Sequence, residues 1–309
     1  MEDAISNYTV FEDAFNEADV NYNSDLNAYV VEYIISIGFY IISTLRICSS
    51  GLCSYAICKF KCMRTRTNYI LLNCLICVIA QDLVMAVFHL LSTKITYFSS
   101  PNIFSNFLLI LYIFQINTFL LYLLLALDWY LSANCNFIFN KYKKAYTFFI
   151  GSAYLVSIAS VLSFPSANII IMMVTYFVSA LIVAILYIIR FVKIYPPASL
   201  KISYALTVSV IYVLFWSPFM VVITTLHIVI LYLEIFSFHA STLPYITSIV
   251  FLFLGYIAPF FIVIILRKLD KNFKIAYELV FRSTVRKYRP SNPYSDCEYD
   301  QYFNDSDVL

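Results

Sequence analysis

Seven stretches of this chain run on with almost no charge, and polar segments separate them. They cover residues 33–58, 69–92, 103–127, 146–164, 169–192, 204–232 and 245–266. About 20 mostly apolar residues suffice for a helix to cross the hydrocarbon core of a bilayer. The runs are too long and too evenly apolar for helices lying on a membrane surface. They also lack the alternation of polar and apolar positions that marks a barrel strand. The pattern predicts an all-α membrane protein, a seven-transmembrane helix bundle. After the last run, Leu269, Phe273 and Ala276 recur at helical spacing among Arg267, Lys268, Lys271 and Lys274. That spacing predicts a short interfacial helix with its bases near anionic lipid. The chain then divides into an acidic tail (1–32), the bundle (33–266), the interfacial helix with a basic segment (267–287) and a disordered polar tail (288–309).

Composition agrees with this division. Hydrophobic residues make up 62% of the 309 positions and charged residues only 12%, with a mean hydropathy of +0.81. Soluble domains carry about 25% charged residues. Net charge is +2, but the distribution says more. The first 45 residues hold eight acids and no Lys or Arg, while 18 of the 20 basic residues follow the first, third, fifth and seventh runs. The bias of basic residues toward cytoplasmic loops puts the N-terminus outside the cell and the C-terminus in the cytoplasm, in a multi-pass protein of the cell membrane. No basic start with a short apolar core precedes the first run, which is expected to act as its own insertion signal. None of the eight cysteines falls in a segment assigned to the outside, so no extracellular disulfide is expected.

The chemistry available is sparse. No metal-ligand cluster, nucleophile elbow or phosphate loop is present, so neither an enzyme nor a cofactor is expected. A transporter would show an inverted repeat and more intramembrane charge. Ionisable groups inside a bilayer are costly and read as functional. The candidates are Glu32, Arg46, Asp82 and His227, with Glu32 and His227 near the outer ends, where they could line a ligand pocket. Arg46 and Asp82 could pair between helices. Asn7-Tyr8-Thr9 is a glycosylation sequon on the outer side, with Asn7 as acceptor. Cys58 and Cys62 are juxtamembrane palmitoylation candidates. Ser291, Ser295 and Ser306 are candidate phosphorylation sites, and Tyr277-Glu278-Leu279-Val280 fits a tyrosine-based sorting pattern.

Four stretches carry a family resemblance. They are Met63–Asn73, the segment Leu124–Ser132 containing Asp128-Trp129-Tyr130, Phe215-Trp216-Ser217-Pro218-Phe219, and Ala258-Pro259-Phe260-Phe261-Ile262. In order and spacing they resemble the rhodopsin-like (class A) G-protein-coupled receptors, over residues 30 to 280. The resemblance implies that Asp128, Trp129, Tyr130, Tyr187, Trp216, Pro218 and Pro259 occupy activation-motif positions. The segment around Trp216 is similar to that of chemokine receptors, as are the short connection after the fifth run and the acidic tail with tyrosines. Tyr8 and Tyr22 are therefore ligand-binding candidates. Tyr22 lies near Asp19 and Asp25, a setting for sulfation. Chemokines are basic, and an acidic tail attracts them by charge complementarity.

The departures from the family point the other way. Trp129 stands where the motif arginine would be, and it has no charge for an ionic lock. Val78 stands at the position of the sodium-site carboxylate, with Asp82 one turn further along as a candidate substitute. Ser50, Ser179, Ala258 and Ile262 replace the usual Asn, Pro, Asn and Tyr. No lysine in the seventh run could carry retinal. The resemblance thus implies a receptor homologue whose coupling to a heterotrimeric G protein is in doubt. Abundant Ile, Phe, Tyr and Asn, together with lost activation motifs, resemble the receptor homologues carried by large DNA viruses. Two functions are expected from this. One is binding or scavenging a chemokine or other extracellular protein. The other is a ligand-independent interaction protein that dimerises with host receptors or retains them.

Overall fold

A computed structural model describes residues 30, 33–94, 101–134, 145–192, 203–233 and 242–282. Among these residues every regular element is helical. The helices are α1 (Tyr33–Lys59), α2 (Arg66–Lys94), α3 (Pro101–Asn134), α4 (Ala145–Ser163), α5 (Asn168–Val192), α6 (Ser203–Leu233), α7 (Thr242–Leu269) and α8 (Lys271–Arg282). Seven of them are long and apolar enough to cross a membrane. The chain is an all-α, multi-pass membrane protein. It divides into two compact units, Met1–Thr44 and Leu45–Leu309. Of the first unit, residue 30 and the leading part of α1 are described, and there Thr44 turns its hydroxyl back to the Tyr40 carbonyl at 2.7 Å. All further contacts below lie within the second unit.

Six of the seven spanning helices outrun the apolar stretches that announce them, and α4 is only shifted by one residue. The largest difference is in α3, which continues seven residues past the predicted end at 127 and carries Asp128-Trp129-Tyr130 inside the helix. A carboxylate in that position would ordinarily mark a helix leaving the membrane. Here Asp128 is fully buried against α2, where its charge is met, so nothing halts the helix. The third helix is the hub of the second unit, packing on α2, α4, α5 and α6, while α6 packs along α7. Pro218 and Pro259 sit inside α6 and α7. Each removes an amide hydrogen and frees the carbonyl four residues earlier, those of Leu214 and Gly255. Such gaps are tolerated in membrane helices where neighbours re-satisfy the backbone.

Asp270 alone separates α7 from α8. The Asp270 carboxylate accepts the backbone N–H groups of Asn272 at 2.7 Å and Phe273 at 3.3 Å, an N-cap that starts the new helix. Burial raises the Asp270 carboxyl above its ordinary value, against the pull of those two amides. The helix is amphipathic, with Phe273, Ala276 and Tyr277 buried and Lys271 and Lys274 exposed. Leu269, expected to share that face, ends α7 and is 53% exposed, while Tyr277 joins the buried face of α8. Burial raises the Tyr277 hydroxyl as well, with the Cys53 thiol of α1 beside it.

Candidate functional site

Polar side chains inside a lipid-embedded helix bundle must find partners within the protein, so their pairing shows what the interior is built around. Two clusters stand out. The first lies deep among the helices and begins at Arg46 on α1, which is 1% exposed. Its guanidinium meets Asp82 of α2, Nη1 to Oδ1 at 3.2 Å, and donates from Nη2 to Gln81 Oε1 at 2.8 Å. The flat face of the group lies 4.2 Å from the centre of the Tyr256 ring on α7, a cation–π contact.

The rest of the cluster follows from donor logic. Arginine only donates, so Gln81 turns its carbonyl oxygen to Arg46 and must aim its amide nitrogen elsewhere. That nitrogen reaches Gln115 Oε1 of α3 at 2.9 Å, and Gln115 in turn donates to the Tyr212 hydroxyl of α6 at 3.3 Å. One cation thereby sets a one-way chain of hydrogen bonds through α1, α2, α3 and α6, with α7 packed on its face. Asp82, the candidate replacement for a cation-binding carboxylate, has its charge met by an arginine of its own chain. Val78 and Ser50 are fully buried nearby in sequence on the same helices.

An aromatic cluster adjoins this chain. Tyr212 stacks on Tyr122 at 3.9 Å, and Trp216 meets Phe119, Tyr212, Phe219 and Tyr256 with centroids between 5.8 and 6.2 Å apart. Trp216 thus joins α3, α6 and α7. Gly255 of α7 is what lets this ring in: a Cβ there would sit 2.8 Å from the indole Cδ2. On the other side of α6, the Tyr176 hydroxyl of α5 contacts Ser217 Oγ at 2.6 Å and donates to the Val213 carbonyl at 3.0 Å, one residue from the carbonyl that Pro218 frees.

The second cluster gathers at the end of the helices that carries the basic clusters. Thr67 of α2 donates to Asp128 Oδ2 at 2.6 Å, and Arg66 Nε lies 3.3 Å from Oδ1. The Arg66 guanidinium also covers the Tyr146 ring of α4 at 4.0 Å. Trp129, beside Asp128, is 1% exposed and packs as a core side chain, while Tyr130 is half-buried. Two further bonds hold α6 at this end. Tyr204 donates its hydroxyl to Asn68 Oδ1 of α2 at 2.8 Å, and Ser209 donates to the Tyr122 carbonyl of α3 at 2.8 Å. Tyr204 also meets Phe273 of α8 edge-on, with centroids 6.1 Å apart.

Other sequence candidates fall outside these clusters. Tyr187 is half-buried and packs on Phe191 one turn along its own helix. His227 is half-buried in α6, with Nε2 shielded and no hydrogen-bond partner among the described residues. Pro259 is buried among the apolar residues of α7, beside Ala258 and Ile262 at 0% exposure. Cys58 is exposed with a free thiol, and Tyr277 is buried. Glu32, Tyr8, Tyr22, Asn7, Ser291, Ser295 and Ser306 lie outside the described residues. Sequence reasoning missed Gln81, Gln115, Asn68 and Tyr204. Gln81 and Gln115 were visible as rare amides in apolar runs, whereas nothing marked Tyr204 among so many tyrosines. No protein-family model matches the chain, and no curated protein matches it.

Proposed function

We propose that this chain is a chemokine-receptor-like homologue of the rhodopsin-like G-protein-coupled receptors. It lies in the cell membrane with its acidic tail outside and its basic loops in the cytoplasm. It binds or scavenges a basic extracellular protein and does not couple to G proteins through the usual switch. The observation that carries this reading is the fate of Asp128-Trp129-Tyr130. The motif position sits at the basic end of α3, but its carboxylate is held by Thr67 and Arg66 of α2 and its second residue is a buried indole.

Coupling through that motif requires a charged group that can leave one partner and take another. A buried indole offers no charge and a single N–H. The bonds from Tyr204 and Ser209 further tie α6 to α2 and α3. An indole at that point, packed and uncharged, suits a receptor that captures a protein without relaying its arrival. Ligand capture rests on the eight acids of the first 45 residues, whose sign complements a basic protein.

The test is a binding screen on cells. Full-length chain and a variant lacking residues 1–27 are displayed and offered labelled chemokines, alongside a G-protein activation assay. Saturable binding lost on truncation, with no G-protein signal, is expected. Robust activation by the unmodified chain would overturn the uncoupled reading. Absence of binding across the panel, with co-precipitation of host receptors, would replace it with the ligand-independent interaction protein.

A further inference from the structure

Beside the junction of α7 and α8 lies an open surface cleft of about 420 Å³ lined by Ile264, Arg267, Lys268 and Lys274. Arg267, Lys268 and Lys274 are exposed, and among the described residues none forms an ion pair with an acid. Ile264, 37% exposed, lies one turn before Lys268 on the same span. The cleft therefore combines three basic side chains with an exposed aliphatic one. It lies where a membrane-spanning helix ends and an amphipathic one begins.

Helix stability accounts for only part of this charge. Arg267 and Lys268 occupy the last turn of α7, where cations favour the helix dipole. Lys274 occupies the opening turn of α8, where a cation opposes the dipole. The N–H groups of Asn272 and Phe273 are already taken by Asp270, and that of Lys274 by the Asp270 carbonyl at 3.1 Å. An anion here would be held by side chains. We propose that this cleft binds the headgroup of an anionic phospholipid bearing phosphomonoesters, with its acyl chain along Ile264. A phosphomonoester carries about −1.5 to −2 charges at neutral pH, so a headgroup with two of them matches three cations lining one cleft better than a phosphodiester lipid of single charge. This inference stands apart from the receptor reading and needs no extracellular partner.

The experiment uses the full chain in phosphatidylcholine nanodiscs with fluorescent phosphatidylinositol bisphosphate as the energy-transfer probe for a donor dye on the protein. Saturable transfer is expected, competed by unlabelled lipid of the same kind. Phosphatidylserine at matched total charge should compete at least tenfold less well. Replacing Arg267, Lys268 and Lys274 by Gln together should abolish saturation, and K274Q alone should weaken binding about fivefold, the effect of one basic residue near an anionic surface. Exchanging Lys and Arg at the same three positions should keep binding within twofold. Should the triple variant fail to fold, K274Q and the charge-conserving exchange still decide. Equal competition by phosphatidylserine, unchanged binding in K274Q, or equal occupancy by soluble inositol bisphosphate would overturn the proposal.

Discussion

The described residues hold two buried arginine–aspartate pairs, and they are built on opposite terms. Arg46 and Asp82 are both sealed, at 1% and 0% side-chain exposure. Asp82 accepts no hydrogen bond among the described residues, so its compensation comes from charge alone. Arg66 and Asp128 form a pair sealed on one side only, since Arg66 keeps 18% of its side chain exposed and Asp128 has Thr67 as a second partner. The inner pair is held entirely inside the bundle: Arg46 has Gln81 and Tyr256 as further partners, but neither charge reaches solvent. The outer pair has an exit, because Arg66 can turn toward water or headgroups. Removing one member of a fully buried pair costs far more than the pair contributes, because it leaves the other charge stranded.

This contrast is easiest to break at Arg46. Arg46→Ala is expected to cost about 3–5 kcal/mol, the penalty of an uncompensated buried charge. It should appear as loss of folded protein in a denaturant titration in detergent, and an effect below that of Asp128→Asn would erase the distinction. Next in size is Asp128→Asn. It should cost about 2 kcal/mol, the scale of a hydrogen bond to a charged group, since Arg66 can reach solvent. The same titration reads it.

Two smaller effects sharpen the comparison. Thr67→Val removes one interhelical hydrogen bond, which averages roughly 0.6 kcal/mol in membrane bundles. Its loss should be additive with mutations at Arg46 and strongly non-additive with Asp128→Asn in a double-mutant cycle. Smallest of all should be the paired replacement Arg46→Leu with Asp82→Leu. Swapping a buried ion pair for packed apolar groups is often neutral or stabilising. A net change within about 1 kcal/mol is expected, with the folded fraction restored relative to Arg46→Ala. A double variant as unstable as the single one would show that Gln81 and Tyr256 depend on the guanidinium itself.

The seven spans were legible because lipid imposes one simple demand, a long apolar run, and the chain meets it seven times. Trp216 and Pro218 were legible for a similar reason, since a bulky ring beside a helix break is rare enough to stand out. The Arg46–Asp82 pairing was legible in part: both intramembrane charges stood out as candidates to pair between helices, and the structure joins them, but the sequence alone did not show that they meet. Their meeting depends on the rotational phase of α1 against α2, and a continuous apolar run carries almost no phase information, because nearly every face of such a helix is hydrophobic. The end of α3 was misplaced for a related reason. Asp128 looks like a boundary until Arg66, 62 positions earlier, supplies its counter-charge. Tyr187 matched a pattern by position, yet the structure leaves it packed on its own helix.

The Arg46–Asp82 pair also bears on how the protein lives with an electric field. A lone charge carried across the whole membrane gains about 2.3 kcal/mol for every 100 mV. Arg46 and Asp82 carry opposite charges only 3.2 Å apart, so this pair presents the field with a short dipole and no net charge. Turning that dipole from one side to the other along the membrane normal would shift its energy by roughly 0.5 kcal/mol per 100 mV, taking about 30 Å for the hydrocarbon thickness. By carrying its own counterion, the core of this protein is made nearly blind to membrane voltage.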